Sequence, residues 1–246
     1  MASYISSKKN LTLGNLFRVF LLLFPFLYLI FRQPDLGNVL VYLFVFIILV
    51  IYAGLDWRYI LAGSLVFAFL LPFSWHILAD YQRQRLISFI SPESDPLGSG
   101  YNAMQAMIAL GSGGFWGLGL GRGTQSKLLF LPEYHTDFVF ASLGEELGFL
   151  GGLAVIVFYF LLLGKTLMVS TSSDDLFEKL VGVGVFAQIF VQVFINIGMN
   201  MGILPITGIT LPLVSYGGNS IISTLIGLGM VAGISVKSKH SPLVIS

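Results

Sequence analysis

Long apolar runs separated by sparse charges dominate the chain, and the charges mark where each run can cross a bilayer. An ionised side chain near the bilayer centre costs at least ~2.5–3.5 kcal/mol, and a crossing needs about twenty apolar residues. The pattern predicts six transmembrane helices. The first covers 13–31, with Arg18 near enough to its start to snorkel. The second covers 36–55 between Asp35 and Asp56, and the third 59–79. The fourth covers 147–164 and ends at Lys165. No charge occurs from Leu180 to Val236, which is too long for one crossing. Pro205, Pro212, Gly208 and the Gly217-Gly218 pair divide that stretch into spans at 181–201 and 214–236. The expected fold class is therefore an all-α polytopic membrane protein, with a large polar segment, 80–146, between the third and fourth helices.

Short-loop cations orient this arrangement. Lys8, Lys9, Arg18, Arg58, Lys165, Lys179, Lys237 and Lys239 fall on one side, and the short opposite loops offer only Arg32. The positive-inside rule makes the first side cytoplasmic, with both termini there and 80–146 facing outward. The polar start MASYISSKKN lacks the short n-region and cleavage site of a signal peptide, so no cleaved signal is expected.

Composition agrees with the pattern and narrows the chemistry. The 246 residues are 56% hydrophobic and 10% charged, with mean hydropathy +0.88, outside the range of a soluble domain. A net charge of +1 provides no field to recruit nucleic acid. The chain has no cysteine, which excludes disulfides, thiolate metal sites and cysteine nucleophiles.

Against so lean a charge background, LPEYHTDF at 131–138 stands out, packing Glu133, His135 and Asp137 into five residues. Asp137 lies where a loop gives way to the apolar Phe138, Val139 and Phe140. Two roles are open to it: Thr136 or Asp137 as a helix N-cap, or Asp137 as a general base. Glu133 and His135, alternating with it, would point the same way in an extended loop. They either hydrogen-bond the loop or help substrate phosphates hold a divalent cation, Mg²⁺ or Mn²⁺, although one imidazole and one further carboxylate fall short of a dedicated metal site.

Arg83, Arg85, Arg122 and Lys127 are the outer cations, suited either to interfacial anchoring or to binding an anionic group. Pro96 to Gly121 is uncharged and ends in GSGGFWGLGLG. That run reads as a re-entrant segment, a surface loop, or a glycine nest for phosphate without the GK[ST] of a P-loop. Glu145 and Glu146 suit the start of the fourth helix. Asn196 and Asn200 recur with Gln188 and Gln192 at helical spacing, a stripe that either joins helices or borders a substrate groove.

QPDLGNVLV, GLDWR, DYQRQRLISFISPESDPLGSGY, the glycine run, GTQSKLLFLPEYHTDFVFASLGEELGFLGG and INIGMNMGILPITGITLPLVSYGGNS follow one another in order. This series resembles the SEDS family of shape, elongation, division and sporulation proteins. It is nearer the rod-shape than the division members, through DPLGSGY, GTQS and LPEYHTDF. The likeness runs from about Leu13 to Val236 and begins near the fifth of the family's roughly ten helices. It implies one SEDS-type membrane domain over 1–246 that polymerises lipid II into the glycan strands of peptidoglycan at the outer face of the bacterial plasma membrane. Asp137 takes the catalytic position, and Arg83, Arg85, Glu133, His135, Arg122, Lys127, Asn196 and Asn200 are candidate substrate contacts. No firm cofactor is implied. A class B penicillin-binding transpeptidase is the implied partner. Two other readings remain: a transporter of lipid II, and a non-catalytic scaffold for the transpeptidase.

Overall fold

The structure is a computed structural model that describes residues 1–7, 13–128 and 130–239. Lys8 and Lys9, counted above toward the cytoplasmic side, lie outside the described residues, as does the side chain of Lys239. Among the described residues the ordered elements are helical and no strand occurs. After the short α1 (Ala2–Ser6) come α2 (Leu13–Arg32), α3 (Leu36–Tyr52) and α4 (Trp57–Ile77). The outer segment contributes α5 (Asp80–Ile90), α6 (Ser99–Ser112) and α7 (Thr124–Lys127). Then come α8 (Val139–Ser172), α9 (Leu176–Asn200) and α10 (Gly218–Lys239).

Stretches within α2, α8, α9 and α10 are long and apolar enough to cross a membrane, and Leu36–Tyr52 and Trp57–Leu70 are shorter apolar helices. The chain is a multi-pass membrane protein. Lipid solvates its apolar exterior, which explains why Phe17, Phe26, Phe69 and Phe160 are exposed without a partner surface. Local chemistry sets the helix starts. Asp35 caps α3 by accepting from the Asn38 N–H at 2.9 Å and from Asn38 Nδ2 at 2.7 Å. The N–H of Phe177, at the start of α9, donates to Asp175 Oδ1 at 2.9 Å.

The fourth span differs most from expectation. It begins at Val139 rather than 147 and contains a break at Gly148, whose φ of 68° lies in the left-handed region. Glu145 and Glu146 therefore stand inside a first helical stretch, before the break.

The helices pack as two compact units. One comprises Met1–Leu65, Leu161–Val191 and Ile221–Ser246; the other comprises Val66–Phe160 and Gln192–Ser220. The first is built around Ile5, Val19, Leu49, Leu180 and Val183. In it Lys237 pairs with Glu178, which also accepts from Ser173 Oγ at 2.5 Å. Arg18, Arg58, Lys165, Lys179 and Lys237 all belong to this unit. The second unit is built around Ala106, Ala109, Leu131, Phe138 and Ala141. It contains every candidate site residue.

Candidate functional site

Within the second unit, LPEYHTDF is a turn rather than an extended loop. Glu133 has a φ of 54°, and its carbonyl accepts from the N–H groups of Thr136, Asp137 and Phe138 at 3.1, 3.1 and 3.2 Å. The alternation that would have aligned Glu133, His135 and Asp137 is therefore absent. The Thr136 hydroxyl donates back to the Glu133 carbonyl at 3.2 Å and to Glu133 Oε2 at 3.0 Å. Glu133 supports the turn. Its side chain and that of His135 are exposed, whereas Asp137 is half-buried. Among the described residues no three His, Asp or Glu side chains gather as metal ligands.

Leu131 and Phe138, both buried, anchor the two ends of the turn in the core. The segment before α10 then holds its outer edge. The Tyr216 N–H donates to the His135 carbonyl at 2.8 Å, and Ser215 Oγ donates to the Thr136 carbonyl at 2.5 Å while accepting from the Leu211 N–H at 2.7 Å. Asn196 and Asn200 are fully buried, and both donate to the Asp137 carbonyl, at 2.9 and 3.0 Å. Their amides are hydrogen-bonded to the chain's own backbone. Gly208 faces Asp137: a Cβ there would stand 3.5 Å from Oδ2.

The cations separate by role. Arg83 donates from Nε and Nη2 to the carbonyls of Trp75 and His76 at 2.8 and 3.2 Å, satisfying the last turn of α4, and pairs with Asp80 at 3.5 Å. Arg85 reaches from α5 to the Thr207 carbonyl at 3.4 Å, next to Gly208, and lies 5.8 Å from the Tyr81 ring centre. It also lines a cavity of about 40 Å³ with Ser88, Met107, Leu204 and Ile206. Arg122 and Lys127 are exposed, on the glycine turn and at the end of α7. The fold thus brings Arg85 to the segment that faces Asp137 and commits Arg83 to α4.

The glycine run pairs its backbone with the break in α8, while Phe115, Trp116 and Leu120 stay exposed. Gly117 N–H donates to the Gly113 carbonyl at 2.7 Å, Leu118 N–H to the Glu145 carbonyl at 3.0 Å and Gly119 N–H to the Glu146 carbonyl at 2.9 Å. In return, the N–H groups of Phe149 and Leu150 donate to the carbonyls of Gly114 and Phe115 at 2.9 and 3.4 Å. The break at Gly148 frees backbone groups that the glycine run takes up, so each irregular segment satisfies the other.

One carboxylate was missed as a structural centre. Glu145 is fully buried, and it accepts from Thr124 Oγ1 at 3.1 Å, Gln125 N–H at 2.8 Å, Ser126 N–H at 3.2 Å and Ser126 Oγ at 2.8 Å. The GTQS motif is its binding half. Both motifs were visible in the chain, but their spacing of about twenty residues carries no sign that they meet.

Comparison with known proteins finds four related chains. The chain is similar to the peptidoglycan glycosyltransferase MrdB of Escherichia coli K12, with 43% identity over 212 residues, covering 86% of this chain and 57% of that protein. It is also similar to stage V sporulation protein E of Bacillus subtilis 168, at 37% identity, covering 98% of this chain and 66% of that one. Among solved structures it superposes on a chain of a peptidoglycan synthase complex studied for its coordination of polymerization and crosslinking. The TM-score there is 0.79 at 32% identity, covering 97% of this chain and 67% of that one. The crystal structure of the rod shape determining protein RodA of Thermus thermophilus matches with a TM-score of 0.64 at 29% identity, over 98% of this chain and 62% of RodA. This chain therefore spans little more than half the length of the MrdB relative. The model of the FtsW, RodA and SpoVE cell cycle proteins matches residues 1–240, and the chain belongs to that family.

Proposed function

We propose that this chain carries the base-bearing part of a peptidoglycan glycosyltransferase that polymerises lipid II at the outer face of the membrane, both termini being cytoplasmic. The observation that carries the reading is the setting of Asp137. Its carbonyl is clamped by two buried amides, its neighbours His135 and Thr136 are tied to the segment before α10, and its half-buried carboxylate faces Gly208. A carboxylate so fixed, rather than on a free loop, suits general-base catalysis, which needs the base within hydrogen-bond reach of the proton it takes.

In this mechanism the Asp137 carboxylate removes the proton from the acceptor sugar's hydroxyl as that oxygen attacks the anomeric carbon of the donor chain. The bond from the anomeric carbon to the polyprenyl pyrophosphate breaks, inverting the configuration. Negative charge grows on the departing pyrophosphate, and Arg85 is the cation best located to meet it, because its guanidinium already reaches Thr207 beside Gly208. The described residues do not form a dedicated site for a divalent cation, so no step is assigned to one. A class B penicillin-binding transpeptidase, which would crosslink the product strands, is the proposed partner. The solved relative from a synthase complex supports that pairing.

The test supplies the purified chain with lipid II and compares wild type with Asp137→Asn. Glycan polymer from the wild type, lost in the variant, supports the enzyme. Polymer undiminished in Asp137→Asn defeats the base assignment. Lipid II movement across vesicles without polymer favours transport instead, and transpeptidase binding with neither activity favours the scaffold.

A further inference from the structure

We infer that Asn200 is a positioning residue for Asp137, its carboxamide wedged into the first turn of α8 in place of a backbone hydrogen bond; the catalytic consequence rests on Asp137 being the base. In an uninterrupted helix the Ala141 N–H would donate to the carbonyl four residues earlier, that of Asp137. Here the Ala141 N–H donates to Asn200 Oδ1 at 3.0 Å, and the Asp137 carbonyl accepts from Asn200 Nδ2 at 3.0 Å. The next bond, Ser142 N–H to the Phe138 carbonyl at 3.0 Å, is ordinary. A primary amide carries one acceptor oxygen and two N–H donors, so it fills the gap completely. Its remaining N–H capacity goes to the Asn196 carbonyl at 2.8 Å.

The insertion keeps Asp137 in the turn and out of the helix. Asn196 reinforces it, donating to the same Asp137 carbonyl and to the Ile209 carbonyl at 2.7 Å. Asp137 is thereby tied to the 207–209 segment, which provides both Gly208 facing the carboxylate and the Thr207 carbonyl that holds Arg85. Polar groups that only join membrane helices have no reason to converge on one carbonyl. With both amides fully buried, no solvent is at hand to replace either. Removing the Asn200 amide lets Ala141 close the regular bond to Asp137, which draws that residue into the helix and turns its carboxylate away.

Because the chain has no cysteine, Asp137→Cys and His135→Cys each install a single reporter thiol. Adding Asn200→Ala should change the maleimide labelling rate severalfold at position 137. At position 135, whose carbonyl is held independently by Tyr216, the rate should stay close to its starting value. No change at 137, or equal change at both positions, overturns the inference. In polymerisation assays Asn200→Ala should lower kcat by up to about a hundredfold, the scale of an ångström misplacement, with KM for the lipid-linked donor held. A rise in KM at unchanged kcat overturns it. Should Asn200→Ala fail to insert into membranes, Asn196→Ala keeps the wedge but drops one donor; the labelling at 137 then shifts in the same direction by a smaller factor, and no shift overturns the inference. If Asp137→Asn polymerises like wild type, the base assignment falls while the thiol comparison still decides the wedge.

Discussion

The carboxylate of Glu145 grips Ser126 twice, through the backbone N–H at 3.2 Å and the hydroxyl at 2.8 Å. With Thr124 Oγ1 and the Gln125 N–H added, one buried side chain satisfies the short α7 and anchors it to the start of α8. Glu145→Ala should leave four donors without their acceptor; the two on buried Ser126 cost about 1–3 kcal/mol each unless the segment rearranges, and those of the more exposed Thr124 and Gln125 cost less. Glu145→Gln keeps the shape but turns an N–H₂ toward donors, so it should also destabilise, by less. Thermal unfolding in detergent would rank them wild type, Gln, Ala. A Gln variant as stable as wild type would show that the carboxylate's charge is dispensable.

Gly148 and Gly117 form a second such joint. Both have left-handed φ, 68° and 80°, and a Cβ on Gly148 would overlap the Gly117 N–H nitrogen, while one on Gly117 would overlap the Glu146 carbonyl. The left-handed conformation alone costs a residue with a side chain about 1–2 kcal/mol. Gly148→Ala and Gly117→Ala should each destabilise by at least that much. The two effects should combine less than additively, because either one already separates the paired backbones. Full additivity in a double-variant melting experiment would mean that the segments do not depend on each other.

Much of this was legible in the chain. The rarity of charge located the spans, since an ion within a bilayer is costly, and the same rarity singled out LPEYHTDF. What stayed hidden depended on contacts distant in sequence. Nothing near Asn200 announces that its amide meets Asp137, 63 positions away, and helical spacing alone could not separate joining helices from positioning a loop. The fourth span was drawn too short because Glu145 and Glu146 read as a boundary. A buried carboxylate supplied with four hydrogen bonds does not behave as an exposed charge does, and a hydropathy argument has no term for that. The turn at Glu133 escaped notice for a similar reason: a positive φ at a glutamate has no marker in composition.

Arg83 and Arg85, two residues apart, should separate in function. Arg83→Gln removes donors to the carbonyls of Trp75 and His76 at the end of α4, in a partly exposed setting where the Asp80 pair adds little. Its polymerisation rate should match wild type, with at most a slight fall in melting temperature. Arg85→Gln should lower kcat/KM by about 10²-fold, the scale of losing one preorganised donor to developing charge. Arg85→Lys should recover only part, because an ammonium restores the charge but not the fork. Equal kinetic losses at the two positions would remove the assignment of Arg85 to the leaving group.

Asp95 offers a prediction in pH. Its partial desolvation works against ionisation, but hydrogen bonds from Ser99 Oγ, the Gly100 and Ser99 N–H groups and Ser88 Oγ outweigh it, holding the carboxyl below its ordinary value of 3.8. Ser99 Oγ and Ser88 Oγ lie 3.1 and 3.3 Å from Oδ2, so one carboxylate links the start of α6 to α5. Since folding lowers this pKa, the unfolded chain binds the proton more readily. The stabilisation is therefore complete above 3.8 and disappears as pH falls through the lower folded value. Asp95→Asn should be less stable than wild type at neutral pH, with the difference narrowing under acid. Melting curves for the two proteins from pH 7 down to about 3 would test this, because the carboxylate's ordinary range lies within that interval. A gap that stays constant with pH would assign the motif's stability to its backbone turns instead of to the charge on Asp95.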